Sequence, residues 1–158
     1  MSTAVLPNTH LVPASDDEVE KFNVLGVNFR SAIGSINYLS SGTRMDISHT
    51  VSSLSQFLEK PGYLHWNAFL HVLWYLKGTT NVGLVYRKSF PLGVKAWSNA
   101  DWGNCVGTQR SVTGFLATLD GNLVLWKTRK QPSVSISTAE AEYKAICDLA
   151  SKLIWLKQ

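Results

Sequence analysis

Glu142 has the clearest chemical claim in this sequence. It lies in the run Ser137-Thr138-Ala139-Glu140-Ala141-Glu142-Tyr143, which opens a segment whose apolar positions Ile146, Leu149, Ala150, Leu153 and Ile154 recur at helical spacing. At about 100° per residue, Glu142 falls on the face of Ile146 and Glu140 points away. Ser137 and Glu140 form an S-x-x-E capping box, which gives Glu140 a structural role. Glu142 has none of that kind, because a carboxylate on an apolar stripe is costly unless it is paired, hydrogen-bonded or metal-bound. A second group is basic: Lys127, Arg129 and Lys130, with Trp126 and Trp102 nearby in sequence, have the make-up of a phosphate-contacting patch with aromatics on which bases stack. The alternative is a solvated strand edge with its tryptophans in the core. Arg110 either contacts phosphate or closes a loop. His65 and His71 do not share a helix face at i, i+4 spacing, so they imply no metal pair. Ser135 and Ser137 have no histidine at a spacing that would make either a nucleophile.

The elements that must position these groups follow from hydrophobic period. Residues 1–15, with Pro7 and Pro13, read as an extended arm. Residues 16–80 read as a helical segment. Asp16, Asp17 and Glu18 suit a helix N-terminus, where carboxylates meet the positive end of the macrodipole. Phe29, Ile33, Ile36 and Leu39 predict a helix. Ile47, Val51, Leu54, Phe57 and Leu58 predict another, ending before Pro61-Gly62, and Leu64, Trp66, Phe69, Leu70, Leu73 and Leu76 predict one that ends at Lys77-Gly78. The period then changes to 2. Gly83–Tyr86 and Val94–Asn99 predict strands, joined through 87–91. Val112–Leu119 and Leu123–Trp126 flank Asp120-Gly121, the signature of a type I′ hairpin. A last long helix follows. The expected class is α+β, with N-terminal helices followed by antiparallel strands and one long helix over 81–158.

Composition narrows the partners. The chain has 158 residues, 45% hydrophobic and 16% charged, against an average of about 25% charged. That is too apolar for a disordered charged tail. A net charge of +4 and a pI near 9.1 lean toward anionic partners such as nucleic acid. Cys105 and Cys147 lack CxxC spacing and read as reduced thiols. No apolar run of membrane-spanning length or secretory signal is seen, so an intracellular protein, cytoplasmic or nuclear, is expected.

Several motifs together carry a resemblance. Trp126-Lys127-Thr128-Arg129-Lys130-Gln131-Pro132 followed by the Ser137–Tyr143 run, together with Arg110-Ser111-Val112-Thr113-Gly114-Phe115 and Asn99-Ala100-Asp101-Trp102, resembles the ribonuclease H domain of copia-type retrotransposon polyproteins. Thr43-Arg44-Met45-Asp46-Ile47 and Tyr75-Leu76-Lys77-Gly78-Thr79 are similar to the segment that links reverse transcriptase to that nuclease. The resemblance runs from about Val5 to Gln158 and implies a truncated ribonuclease H-like domain over 81–158. It also implies cleavage of the RNA strand of RNA–DNA hybrids by two Mg2+ ions about 4 Å apart, held by carboxylates. The first family ligand matches Asn99 and the second matches Glu142, so any metal contact here falls to Glu142.

Two departures shape the functional expectation. Asn99 is an amide where the family has aspartate, and it brings no negative charge. The family's third carboxylate lies on a strand after the long helix, beyond Gln158. Asp101, two residues past Asn99, is a weak substitute. The expectation is therefore a catalytically inactive relic that binds Mg2+ poorly and RNA–DNA hybrid or other nucleic acid weakly, through Arg110, Trp126, Lys127, Arg129 and Lys130. Two alternatives stand beside it: a host-reused interaction module, and a nuclease active only within a full polyprotein. Residues Gly93–Asn99 would form an open strand edge, which invites a homodimer or another protein partner.

Overall fold

Ser15 begins the first helix for a reason visible in its hydroxyl. In the computed structural model, which describes residues 3–4, 11–88, 93–103, 105 and 107–157, Ser15 caps α1 (Asp16–Asn23) by accepting the Glu18 N–H, while the Glu18 carboxylate accepts the Ser15 N–H at 2.9 Å. Helices α2 (Phe29–Gly42), α3 (Ser48–Leu54) and α4 (Tyr63–Gly78) follow, with single 3-10 turns on either side of α3. Strands β1 (Val94–Asp101), β2 (Val112–Leu119) and β3 (Asn122–Lys130) and helix α5 (Thr138–Lys157) complete an α+β chain. The described residues divide into two compact units, Met1–Gly83 and Leu84–Gln158.

The N-terminal unit buries Phe22, Phe29, Ile33, Ile36, Ile47, Val51, Leu54, Phe69 and Val72 in one core. Burial of side chains this large contributes about 1.5–3 kcal/mol each. Ser40 is buried where α2 meets α3, because its hydroxyl pairs with that of Ser48 at 2.8 Å. Leu39, expected on the apolar stripe, is 40% exposed. On helix α4 the predicted Phe69 is buried and Trp66, Leu70 and Leu76 pack against the core, whereas Leu64 and Leu73 are exposed and His65, Ala68 and Val72 are buried beside Phe69. Gly62 starts α4 at a close approach, since a Cβ there would lie 2.9 Å from that of Ala14. Ala4 and Ala14 are buried as well, so the described parts of the predicted arm, 3–4 and 11–15, pack on this unit. Residues 5–10 lie outside the described set.

In the C-terminal unit the strands pair antiparallel in the order β1-β2-β3. Asp120 and Gly121 both take positive φ, 53° and 77°, as the two-residue hairpin requires. The strand predicted over Gly83–Tyr86 is not formed: that backbone is irregular, and Val85 and Tyr86 stay exposed. Alternation alone cannot hold a strand without a neighbour. The Asn122 side chain instead ties down the Arg87 backbone, accepting its N–H at 2.7 Å and donating to its carbonyl at 2.8 Å. Part of the predicted connection, 89–91, lies outside the described residues.

Helix α5 covers one face of the sheet, the face of Thr113, Phe115 and Ala117. It meets that face through Ala141, Ala145 and Leu149. Ile146 and Ile154, predicted on its buried stripe, are 51% and 65% exposed. Alanines let the helix backbone come close to the sheet, and this close approach sets the rotation that hydropathy alone misplaces. No helix among the described residues is long and apolar enough to cross a membrane.

Candidate functional site

Strand period decides which candidates can act together. Ser98 and Ala100 pair with Phe115 and Thr113, so they belong to the face under α5. Asn99 and Asp101 alternate with them and lie, exposed, on the opposite face. Glu142 stands on α5, half-buried at the border of the alanine stripe. The positions that the resemblance equates with metal ligands are thus divided between two faces. Among the described residues no group of three or more His, Cys, Asp or Glu side chains is placed to hold a metal ion. One amide, one separate carboxylate and Asp101 beside the amide do not make the anionic cage that two Mg2+ ions need, so these residues do not fit the ions. The cost assigned to Glu142 from the sequence also disappears, because its side chain is not in the apolar stripe.

The basic run is divided by the same alternation. Arg129 pairs across β2 with Thr113 and faces α5. There its guanidinium forms a two-pronged ion pair with Asp148, with Nε 2.9 Å from Oδ2. Lys127 shares that side and is exposed. Trp126 and Lys130 lie on the other face, with Trp126 opposite Leu116 and Leu116 opposite Trp97. The face away from α5 therefore carries the row Trp97, Leu116, Trp126, with Lys95 two residues from Trp97 on β1 and Lys130 four residues from Trp126 on β3, level with Asp101. Trp97 is 52% exposed. Lys130 Nζ lies 3.3 Å from Cys105 Sγ. Burial pushes that thiol up, but hydrogen bonds with Thr108 and Lys130 and the ammonium charge outweigh it and leave the thiol below its usual value. Arg110 is half-buried, and its carbonyl accepts the Cys105 N–H, which closes the loop.

Three residues that sequence reasoning passed over organise the joint between sheet and helix. Gln131 is 1% exposed; its amide nitrogen donates to Thr113 Oγ1 and to the Ala141 carbonyl, each at 2.9 Å, and its oxygen accepts from Ser135 Oγ. Lys144 Nζ reaches Ser133 Oγ, the Val134 carbonyl, Ser135 Oγ and Glu140. Lys144 and the Ile136 N–H hold the Glu140 carboxyl below its usual range. The Ser137 hydroxyl accepts the Glu140 N–H at 3.1 Å, as the expected capping box requires, whereas the Glu140 carboxylate accepts from the Ile136 N–H rather than from that of Ser137. Asp148 is the third, and its signal in the sequence was a carboxylate one position before Leu149 on the buried face. Trp102, the second tryptophan of the expected patch, donates its indole N–H to the Ser135 carbonyl at 2.9 Å.

In the N-terminal unit, the two motifs similar to the linking segment form one cluster. Arg44 donates from Nε and Nη2 to Asp46, at 3.0 and 2.7 Å, from Nη1 to the Thr79 carbonyl and from Nη2 to its hydroxyl. Tyr75 adds a hydroxyl to Asp46 at 2.8 Å. The Arg44 guanidinium holds the Asp46 carboxyl below the usual carboxylate range, against the effect of burial.

No family model matches the chain, and no solved structure matches it. Among curated proteins it is 40% identical over 139 residues to the retrovirus-related Pol polyprotein from transposon TNT 1-94 of Nicotiana tabacum, covering 88% of this chain and 10% of that protein. It is 39% identical over 128 residues to an uncharacterized mitochondrial protein of Arabidopsis thaliana, covering 81% of this chain and 53% of that one. It is 38% identical over 130 residues to the secreted RxLR effector protein 161 of Plasmopara viticola, covering 82% of this chain and 92% of that one. The chain thus spans about a tenth of the tobacco polyprotein and about half of the Arabidopsis protein. These similarities make the chain a homologue of a segment carried in the retrovirus-related Pol polyproteins of plant transposons.

Proposed function

We propose that the Leu84–Gln158 unit is a ribonuclease H-like module that has lost hydrolysis and kept nucleic-acid binding, with the open face of its sheet as the contact surface. The row of Trp97, Leu116 and Trp126 carries this reading. Aromatic rings on an open sheet offer a stacking surface to any base, worth about 1–3 kcal/mol per base, and Lys95 and Lys130 add phosphate attraction. Three antiparallel strands followed by a long helix on one face also agree with the resemblance to ribonuclease H. Loss of hydrolysis follows from the donor set. Asn99 brings no charge, and Glu142 rises on the helix over the other face, so no pair of metal ions is held together.

The test is a labelled RNA–DNA hybrid incubated with the protein in Mg2+ or Mn2+, with binding followed by anisotropy and tryptophan quenching. The expected result is no cleavage, with weak binding that falls steeply with salt. Trp97→Ala should weaken binding about tenfold, the equivalent of about 1.4 kcal/mol. Cleavage that disappears in Glu142→Gln would overturn the loss of hydrolysis. Binding unaffected by Trp97→Ala would overturn the contact surface.

A further inference from the structure

Strand β1 pairs with β2 on one side, and among the described residues no strand lies on its other side. The hydrogen bond from the Asp120 N–H to the Gly93 carbonyl, 2.9 Å, makes Gly93 and Asp120 a hydrogen-bonded pair. Bonding alternates along an antiparallel ladder, so Lys95, Trp97, Asn99 and Asp101 turn their backbone groups toward β2. Val94, Ala96, Ser98 and Ala100 turn theirs outward. The outward set is small past Val94, with no proline among β1 residues and no bulge between β1 and β2 to blunt the edge. The two charges on the strand, Lys95 and Asp101, are both exposed and both on the face away from α5.

We propose that two copies of this chain join through β1, antiparallel about a two-fold axis at Ser98, to make one continuous six-stranded sheet. Only registers that set outward residues against outward residues can form the ladder. Of these, the register centred on Ser98 places Ala96 opposite Ala100 and Lys95 opposite Asp101. The two-fold axis repeats both pairs, so each dimer gains two cross-strand ion pairs on one face and contacts between small residues on the other. Centring on Trp97 would instead set Lys95 against Asn99, and centring on Asn99 would set Trp97 against Asp101, with no ion pair in either case. An edge of eight residues buries less than a standard interface of about 1,600 Å², so the dimer is weak, with a dissociation constant on the order of micromolar to tens of micromolar. This dimer does not depend on the nucleic-acid reading and is measured without nucleic acid.

The experiment is sedimentation equilibrium of the full chain across a concentration series, with hydrogen exchange at its two extremes. The amides of Ala96, Ser98 and Ala100 should gain protection as concentration rises, whereas those of Lys95, Trp97 and Asn99 are protected throughout. Lys95→Glu or Asp101→Lys alone sets like charges opposite each other twice and should weaken association roughly tenfold, and the double reversal should restore it. Both are surface changes on a paired strand, and protection of the β2 and β3 amides reports that the sheet is intact. A chain that remains monomeric up to about 500 μM, far above the range expected for an interface of this kind, overturns the proposal. So does a dimer unaffected by either single reversal, or one that the double reversal does not restore.

Discussion

The two units each hold an arginine against an aspartate with a two-pronged contact, and they place that contact very differently. In the N-terminal unit the Arg44 side chain is 8% exposed, and its remaining donors reach the Thr79 carbonyl and hydroxyl, 35 residues away. In the C-terminal unit the Arg129 side chain is 43% exposed, and its contact is with Asp148. The same pair of residue types is a clamp in one place and a surface contact in the other. A guanidinium in a low-dielectric site must have its donors satisfied, so its neighbours become indispensable; one in water does not impose that demand. The motifs of the N-terminal unit are thus explained by structure, whereas the C-terminal unit keeps its candidate residues on exposed or half-buried positions.

Arg44→Ala is the largest test of this contrast. Removing the guanidinium takes the ion-pair partner from Asp46, which keeps the Tyr75 hydroxyl, and leaves the Thr79 carbonyl with the Val82 N–H only, and the loss should be about 3 kcal/mol in the N-terminal unit. Two units do not promise one unfolding transition, so the measurement is native-state hydrogen exchange of α2, α3 and α4 beside that of the sheet. Protection should fall in the helices and hold in β2 and β3. A loss below about 1 kcal/mol would place Arg44 in the same class as an exposed pair.

A second test uses His65, which has no counterpart in the C-terminal unit. The ring is 1% exposed, its Nδ1 accepts the Gly62 N–H at 3.0 Å, and its Nε2 is buried without a hydrogen bond among the described residues. Burial holds the imidazole below its usual pKa, against smaller opposing effects from Val12 and Glu18. The unfolded chain therefore takes up a proton, near pH 6.5, before the folded one does. The stability of the N-terminal unit should be level above that pH and fall beneath it, by at most about 1.4 kcal/mol per pH unit for one proton. His65→Gln keeps an acceptor for the Gly62 N–H and should flatten the decline. An unchanged slope would assign the acid sensitivity to other groups.

The same contrast sorts what could be read from sequence. Helix ends and the hairpin were legible because their signals are local: Asp16, Asp17 and Glu18 in the first turn of α1, Gly62 and Gly78 around α4, Asp120-Gly121 with positive φ. Helix rotation was legible only in part, through Phe69 on α4 and Leu149 on α5. The hydropathy of α4 and α5 points to Leu73, Ile146 and Ile154, but packing chose His65, Ala68, Ala141 and Ala145, since contact surfaces reward fit as well as apolarity. The division of the candidate site followed from period 2 along the strands, yet it could be applied only once the strand pairing and the side taken by α5 were known. Gln131 was quoted within a motif and still passed over, because a buried amide acquires its role only from Thr113, Ser135 and Ala141, which a linear reading does not bring together.

Arg129→Ala closes the comparison with the smallest effect. Arg129 and Asp148 link β3 to α5, and both are partly solvated, at 43% and 27% side-chain exposure. Coulomb attraction there is screened, and fixing a long side chain costs entropy, so the net loss should stay under about 1 kcal/mol and shrink further with added salt. The joint is held mainly by other contacts: the Gln131 amide, the Lys144 clamp and the alanine stripe of α5 all lie outside this pair. Exchange protection across β2, β3 and α5 should therefore be nearly unchanged in the variant. A drop of about 3 kcal/mol, equal to that expected for Arg44→Ala, would show that the Arg129 pair carries the sheet-to-helix joint, and that exposure is the wrong measure for separating the two clamps.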